Sequence, residues 1–575
     1  MKDVPALTEI QGISTYSSRT KEQLIQEVER LRKRKKYGLI WEDKPEDVVL
    51  QCQENIPILK EVKNRKIVSK DLLPTNILIE GDNYHSLSVL NYTHQEKVDL
   101  IYIDPPYNTG ATDWRYNNDY IDENDQWRHS KWISFMRHRL RLARNLLSES
   151  GVIYCAIDHY ELFGLGLLCD EIFGETNRLG VITVVHKPEG RQFANFFSPS
   201  NEFMLVYAKN KTEARLNEVV LDEEQKERFS EQDEYGNYRL KNFIRLTDGK
   251  YSLRENAPEG FYPIYVSKNL KKFSLEKTDG YVAVFPITDR GIERTWKTLG
   301  DTFLEKVRSG NIVSKKENGS IVVYEKLRED QVIKTHWARK EYHSYHFGTK
   351  IIEEILGSKK FDFPKSLNLI IDIIKLSTKD NSIVLDFFAG SGTTGHAVLE
   401  LNKQDGGNRK FILCTNNENK ICEEVTYERI KRVIKGYKNK KGEKVDGLGG
   451  NLSYSKTDLV NIGKLQKVSD DTKIKITYQA GEMIALREDT LNEIEKNEWW
   501  QIFKGNEKLT AIYFTEDKTK LKEFIKILEN KKLPTILYVF GWGKNEYKND
   551  YSTKTIRIED IPEPILEVYK EINRI

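Results

Sequence analysis

Val98-Asp99-Leu100-Ile101-Tyr102-Ile103 runs directly into Asp104-Pro105-Pro106-Tyr107. The first six residues read as a buried strand. The next four cannot continue it. Each proline fixes φ and lacks an N–H, and each pushes the residue before it away from helix. The strand therefore ends in a stiff turn presenting two carbonyls, one carboxylate and one aromatic face together. Such groups suit an exocyclic amine on a flat ring. The Asp104 carboxylate and a carbonyl accept its two N–H bonds, and the Tyr107 ring stacks on it. The alternative is a proline turn that merely ends a strand.

A second stretch lies far downstream. Ser382-Ile383-Val384-Leu385-Asp386-Phe387-Phe388-Ala389-Gly390-Ser391-Gly392-Thr393-Thr394-Gly395 reads as strand, glycine-rich turn and helix. The glycines let a ligand approach the backbone, and the helix N-terminus favours a carboxylate or phosphate. No Lys-Ser or Lys-Thr follows the glycines, so this is no Walker A loop. His396 after Gly395 breaks the dinucleotide-binding pattern as well.

The pair of stretches resembles the amino-methylating DNA methyltransferases, in which acid-Pro-Pro-Tyr is the catalytic motif and DxFAGSGTT the S-adenosylmethionine motif. Placing the catalytic motif first resembles the beta class, with a target-recognition segment between the two. Asn76-Ile77-Leu78-Ile79-Glu80-Gly81-Asp82-Asn83, Phe363-Pro364-Lys365-Ser366 and the strand RKFILCTNNE over 409–418 are similar to further cofactor motifs of that family. Arg128-His129-Ser130-Lys131-Trp132 and Asn451-Leu452-Ser453-Tyr454 are similar to segments of type III modification subunits.

The resemblance implies an adenine-N6 methyltransferase acting on a flipped base in double-stranded DNA. Asp104, Pro105, Pro106 and Tyr107 would be catalytic. Asp82, Lys365, Asp386, Phe388, Gly390, Gly392, Thr393 and Glu418 would hold S-adenosylmethionine, with no metal. Asn416 and Asn417 compete with Glu418 for the ribose hydroxyls. The implied partners are DNA, a second copy in a homodimer, and a restriction subunit with ATPase and nuclease activity. Alternatives are a solitary methylase, a cytosine-N4 methylase (where Ser is commoner at the first motif position), a mainly DNA-reading subunit, or an RNA substrate.

Elsewhere the pattern of strands alternating with helices predicts an α/β fold with a mostly parallel, doubly wound, Rossmann-like sheet. Asp82, Asp104 and Asp386 each end a predicted strand, so all three can converge at one sheet edge. We divide the chain into an N-terminal helical arm (1–69), a catalytic half-core (70–210), a target-recognition domain (211–340), a cofactor half-core (341–460) and a C-terminal α/β module (461–575) for dimerisation or docking. Residues 20–36 read as a helix ending in a basic run. In the third segment Arg245, Arg254, Arg290, Arg294 and Lys297 are candidate DNA contacts. Phe193, Phe196 and Phe197 are candidates to cover the second face of a base, or are packing residues.

Composition constrains partners weakly. The 575 residues carry 91 basic and 88 acidic side chains, a net charge of +3, so any nucleic-acid path must come from local patches. The five cysteines form no CxxC pair, which suits a reduced, cytoplasmic setting. No apolar run is long enough to span a membrane.

Overall fold

In the computed structural model, residues 44–69, 73–116, 119–122, 124–190, 196–217, 229–246, 249–328, 334–463, 468–541 and 547–573 are described. The expected helix at 20–36, its basic run and Phe193 lie outside them.

Ten strands build the main sheet. In chain order they are β1 (Asn55–Glu61), β2 (Thr75–Glu80), β3 (Val98–Ile103), β4 (Leu147–Ile157), β5 (Arg178–Val185), β6 (Asn201–Ala208), β7 (His336–Trp337), β8 (Ile383–Asp386), β9 (Lys410–Thr415) and β10 (Asn451–Asn461). Their spatial order is β1-β10-β2-β9-β8-β3-β4-β6-β5-β7. The run from β10 to β4 is parallel throughout. β1 pairs antiparallel with β10, and β6 antiparallel with both β4 and β5, while β5 and β7 pair parallel. This is the mostly parallel α/β sheet that the strand–helix alternation implies.

The centre of the sheet is apolar on both faces, as a covered parallel sheet requires. Ile101 and Ile103 of β3 join one buried cluster, while Leu100 and Tyr102, equally buried, point to the opposite face. Helices α1 (Asn83–Thr93), α2 (Arg128–Leu146) and α3 (Leu162–Phe173) pack in succession, and so do α4 (Leu367–Ser377), α5 (Thr393–Asp405) and α6 (Glu428–Lys435). Trp132, Phe135, Met136, Leu140, Ala143 and Leu146, at helical spacing, are on the buried face of α2. Gly174 caps α3 with φ 93°, its N–H donating to the Asp170 carbonyl.

β8 leads through α5 to β9 on one side. Its other neighbour, β3, leads through α2 to β4 in the opposite direction. The strand order reverses between β8 and β3, and the carboxyl ends at such a switch point are where open α/β sheets bind ligands.

Two expected boundaries shift. Residues 47–54 are helical, but Asn55–Glu61 is β1, paired with β10 residue by residue from Asn55↔Asn461 to Glu61↔Ser455. The described part of the supposed arm is thus an edge of the core, because Ile56, Ile58 and Leu59 need burial. Likewise, the C-terminal module shares the core. Its five-stranded sheet contains a β-α-β unit: parallel strands Leu509–Tyr513 and Thr535–Phe540 flank the helix Lys518–Asn530. Met483, Ile484, Phe503, Tyr538 and Tyr569 join the same cluster as α1 and β1. The Tyr569 hydroxyl donates to the Pro57 carbonyl at 2.6 Å. Ten of the eleven α1 residues are buried for this reason.

Residues Leu216–Lys334 form a separate compact unit. Its core is Phe243, Ile264, Val266, Trp296, Phe303, Ile312 and Val323, between short antiparallel sheets. Of the candidate DNA contacts there, Lys297 is spent on Glu325 (3.2 Å) and Arg245 on the Lys297 carbonyl (2.9 Å). Arg254 pairs with Glu293 at 2.9 Å, lies over the Phe261 ring and stays exposed, as does Arg290.

Candidate active site

β3 and β8 are neighbours in register, Leu385 opposite Ile101, so Asp104 and Asp386 leave the same sheet edge side by side. Each closes its own turn differently.

Asp386 accepts from the Phe388 N–H (3.0 Å) and the Thr394 hydroxyl (2.6 Å), tying the strand end to the start of α5. Burial, with a further push from Asp104, raises its pKa to about 7. Between them lie Gly390 (φ 46°) and Gly392 (φ 76°). A Cβ on Gly390 would stand 3.1 Å from the Phe361 ring, in a backbone conformation that side chains disfavour. Gly392 is the N-cap of α5 and no side chain caps that end. The first N–H groups of α5 are therefore left for an outside acceptor. A bare, left-handed glycine backbone beside an uncapped helix start fits a carboxylate-bearing cofactor.

Asp104 opens the second turn, with its side chain 27% exposed. Its carboxylate is 3.1 Å from the Lys365 ammonium, which also binds Glu202 (2.5 Å) and the Tyr107 hydroxyl. That hydroxyl in turn donates to Glu202 at 2.9 Å. Two acids, one ammonium and one phenol thus share a corner. Lys365 was expected at the cofactor. Its ammonium lies at this corner, because two largely dry carboxylates on separate strands demand a cation between them.

The Trp132 indole donates to the Pro106 carbonyl at 2.8 Å. Only the Pro105 carbonyl therefore remains of the two that the turn was expected to present. Behind it, fully buried Asn108 (φ 57°) donates to Glu161 at 2.5 Å, and His129 meets the same oxygen at 2.5 Å. The turn is rigid from both sides.

A third turn completes the edge. Asp82 caps α1 through the Tyr84 N–H (2.7 Å) and pairs with buried Arg139 at 3.2 Å. Asn83 donates to the Phe387 carbonyl at 3.0 Å, and the Phe135 and Phe388 rings stand 5.9 Å apart. The turns at 82–83, 104–107 and 386–392 are therefore one cluster. Glu418 begins the short turn after β9. Asn416 and Asn417 spend their side-chain oxygens on local N–H groups, those of Glu418 (3.4 Å) and Glu423 (3.1 Å). Phe196 and Phe197 are almost fully exposed, so core packing does not account for them.

Sequence reasoning missed Glu202, Asn108, Glu161, Arg139 and Phe361. A faint signal existed for Glu202: it is the lone acid heading an apolar strand, and in an antiparallel strand that start lies at the carboxyl edge of its parallel neighbours. Among the described residues no group of His, Cys, Asp or Glu is placed to hold a metal, all five cysteines are free and buried, and no helix is long and apolar enough to cross a membrane.

The family model of DNA methylases matches residues 98–428, more than half of the chain. The chain belongs to this DNA methylase family. Among curated proteins, the type III restriction-modification enzyme EcoPI Mod subunit of Escherichia phage P1 is 32% identical over 69% of this chain and 68% of its own length. The type II methyltransferase M.KpnI of Klebsiella pneumoniae is 36% identical over 62% of this chain and 84% of its own. The StyLTI Mod subunit of Salmonella typhimurium is 33% identical over 62% of this chain and 55% of its own. A solved M1.HpyAVI–SAM complex aligns with 62% of this chain and 98% of its own at 14% identity and a TM-score of 0.28, too loose an overlap to bear on the fold.

The corner makes a prediction for methyl transfer. In the amine-accepting role that the resemblance implies for Asp104, the ionised carboxylate is the stronger acceptor. Burial raises its pKa, Glu202 raises it further and Lys365 opposes both. Activity should therefore rise with pH through a value above the ordinary carboxylate range. Glu202→Gln removes one repelling charge and frees Lys365 for Asp104, so the acid limb of the pH–rate profile should move to lower pH. An unmoved limb would show that the two acids do not communicate.

Proposed function

We propose that this chain methylates N6 of an adenine flipped out of duplex DNA, as the modification and sequence-reading subunit of a type III restriction-modification system. The observation that carries the reading is the adjacency of the Asp104–Tyr107 corner and the Gly390–Thr393 turn on neighbouring strands β3 and β8. The type III Mod subunits among the relatives support the system, and Asp rather than Ser at the head of the catalytic turn supports adenine.

Within this reading S-adenosylmethionine supplies an electrophilic methyl group. The backbone of Gly390 and Gly392, the Phe388 ring and the free N–H groups from Thr393 shape the place for its amino-acid arm. Asp82 and Glu418 take its adenine amine and ribose hydroxyls, while Asp386 holds the turn in shape. On the opposite side, Asp104 and the Pro105 carbonyl accept hydrogen bonds from the two N–H groups of the target amine, and Asp104 takes the one proton that the nitrogen releases on methylation. That draws the nitrogen toward a pyramidal shape and aims its lone pair. Holding it ~3–3.5 Å from the methyl carbon is worth much of the rate. The Tyr107 ring, its hydroxyl anchored by Glu202, gives the base a fixed stacking plane. An amine inside a duplex cannot reach this corner, so the base leaves the stack.

M.KpnI, a type II enzyme, favours a second reading, a methylase that works without a restriction subunit. One experiment addresses both. The purified chain is incubated with duplex DNA and S-adenosylmethionine carrying a labelled methyl group, then the DNA is digested to nucleosides. Label on N6-methyl-2′-deoxyadenosine is expected, and co-purification with an ATPase subunit supports the type III assignment. Label on cytosine, or none on DNA, contradicts the proposal.

A further inference from the structure

Arg429, on α6, is completely buried beneath the glycine turn. Its Nη1 donates to the Ser391 carbonyl (3.2 Å), the Ser391 hydroxyl (3.2 Å) and the Thr393 hydroxyl (2.8 Å). Its Nη2 lies 3.3 Å from His396 Nδ1. Among the described residues no carboxylate faces it, and burial pushes its pKa down to about 9. Asp386, the acid of the same turn, is held by Thr394 and the Phe388 N–H instead.

The surroundings offer this cation acceptor dipoles but no counter-charge. α5 begins at Thr393, and the start of a helix carries a partial positive charge of about half a unit. A buried guanidinium pressed against that end is unfavourable on two counts, desolvation and repulsion. An anion seated in the turn relieves both.

The hydrogen bonds point the same way. A guanidinium only donates, so the Ser391 and Thr393 oxygens facing it act as acceptors. The two hydroxyls lie 3.2 Å apart, so one hydrogen can bridge them. At least one O–H is then left to donate to a third group. Arg429 also engages the Ser391 carbonyl, which would otherwise repel an anion.

We infer that Arg429 is a positioning residue for the carboxylate of the methyl donor, acting through Ser391 and Thr393 from behind the glycine turn. The inference rests on the cofactor reading above and extends it to a residue that touches no ligand.

Calorimetry on the full chain with two probes tests it. S-adenosylhomocysteine carries the carboxylate; 5′-methylthioadenosine lacks the amino-acid arm. Arg429→Gln should weaken the first by tenfold or more and the second by less than twofold, and Arg429→Lys should recover most of the loss. Equal weakening of both probes, or of neither, overturns the inference. Should Arg429→Gln not fold, the Ser391→Ala, Thr393→Ala double variant must show the same asymmetry, and its absence is equally fatal. Wild type binding both probes with the same affinity overturns the inference alone; wild type binding neither overturns the cofactor reading with it.

Discussion

Asp104→Ala should abolish methyl transfer, by a factor on the order of a thousand or more, while the chain folds normally and binds S-adenosylhomocysteine as before. The loss of rate follows from the role proposed for the carboxylate: a positioned acceptor of an amine proton contributes roughly 10²–10⁴-fold. The intact fold follows from the charges at the corner. Asp104 and Glu202 share the single ammonium of Lys365. Removing Asp104 leaves Lys365 and Glu202 as a balanced pair, so no buried charge is orphaned. Lys365→Met is the informative contrast. It strands two acids and should destabilise the protein, since breaking a buried pair costs about 3–5 kcal/mol. Turnover by Asp104→Ala within tenfold of wild type would remove the residue from the chemistry.

Gly390→Val is expected to reduce affinity for S-adenosylhomocysteine by a hundredfold or more in calorimetry. Two effects combine. With φ at 46°, the position is left-handed, where a β-branched residue is a genuine outlier. Its Cβ would also press on the Phe361 ring at 3.1 Å, and the branch methyls would fill the cradle that the bare backbone leaves open. Gly390→Ala, sharing the first effect but with less bulk, should lose less. Unchanged affinity in the valine variant would mean that the cofactor does not approach this turn.

The pattern of strand and helix, and the two turns at the heart of the site, were legible in the chain because both obey local rules. Prolines end β3 and glycines at positive φ end β8, and each effect is written in consecutive residues. The partners that hold those turns were not. Glu202 reaches Tyr107 from a strand that arrives antiparallel, and Trp132 takes the Pro106 carbonyl from α2. Such contacts depend on which strands become neighbours, and no local pattern encodes that. Lys365 shows the limit from the other side. Its motif marks it as near the cofactor, but no local pattern names Asp104 and Glu202 as the acids that hold its ammonium. β1, and the sharing of the main core by the C-terminal module, escaped for a third reason. Their apolar faces are short and unremarkable alone, and become core only against α1.

On the proposed reading the base and the methyl donor meet in one pocket made by β3 and β8. A bisubstrate analogue, adenosine joined through its N6 to the amino-acid nucleoside of the donor, tests this most directly. It should bind at least tenfold tighter than S-adenosylhomocysteine, Asp104→Ala should erase that gain, and Gly390→Val should weaken both ligands. An analogue that binds no tighter than S-adenosylhomocysteine, or whose advantage survives the loss of Asp104, would contradict the account.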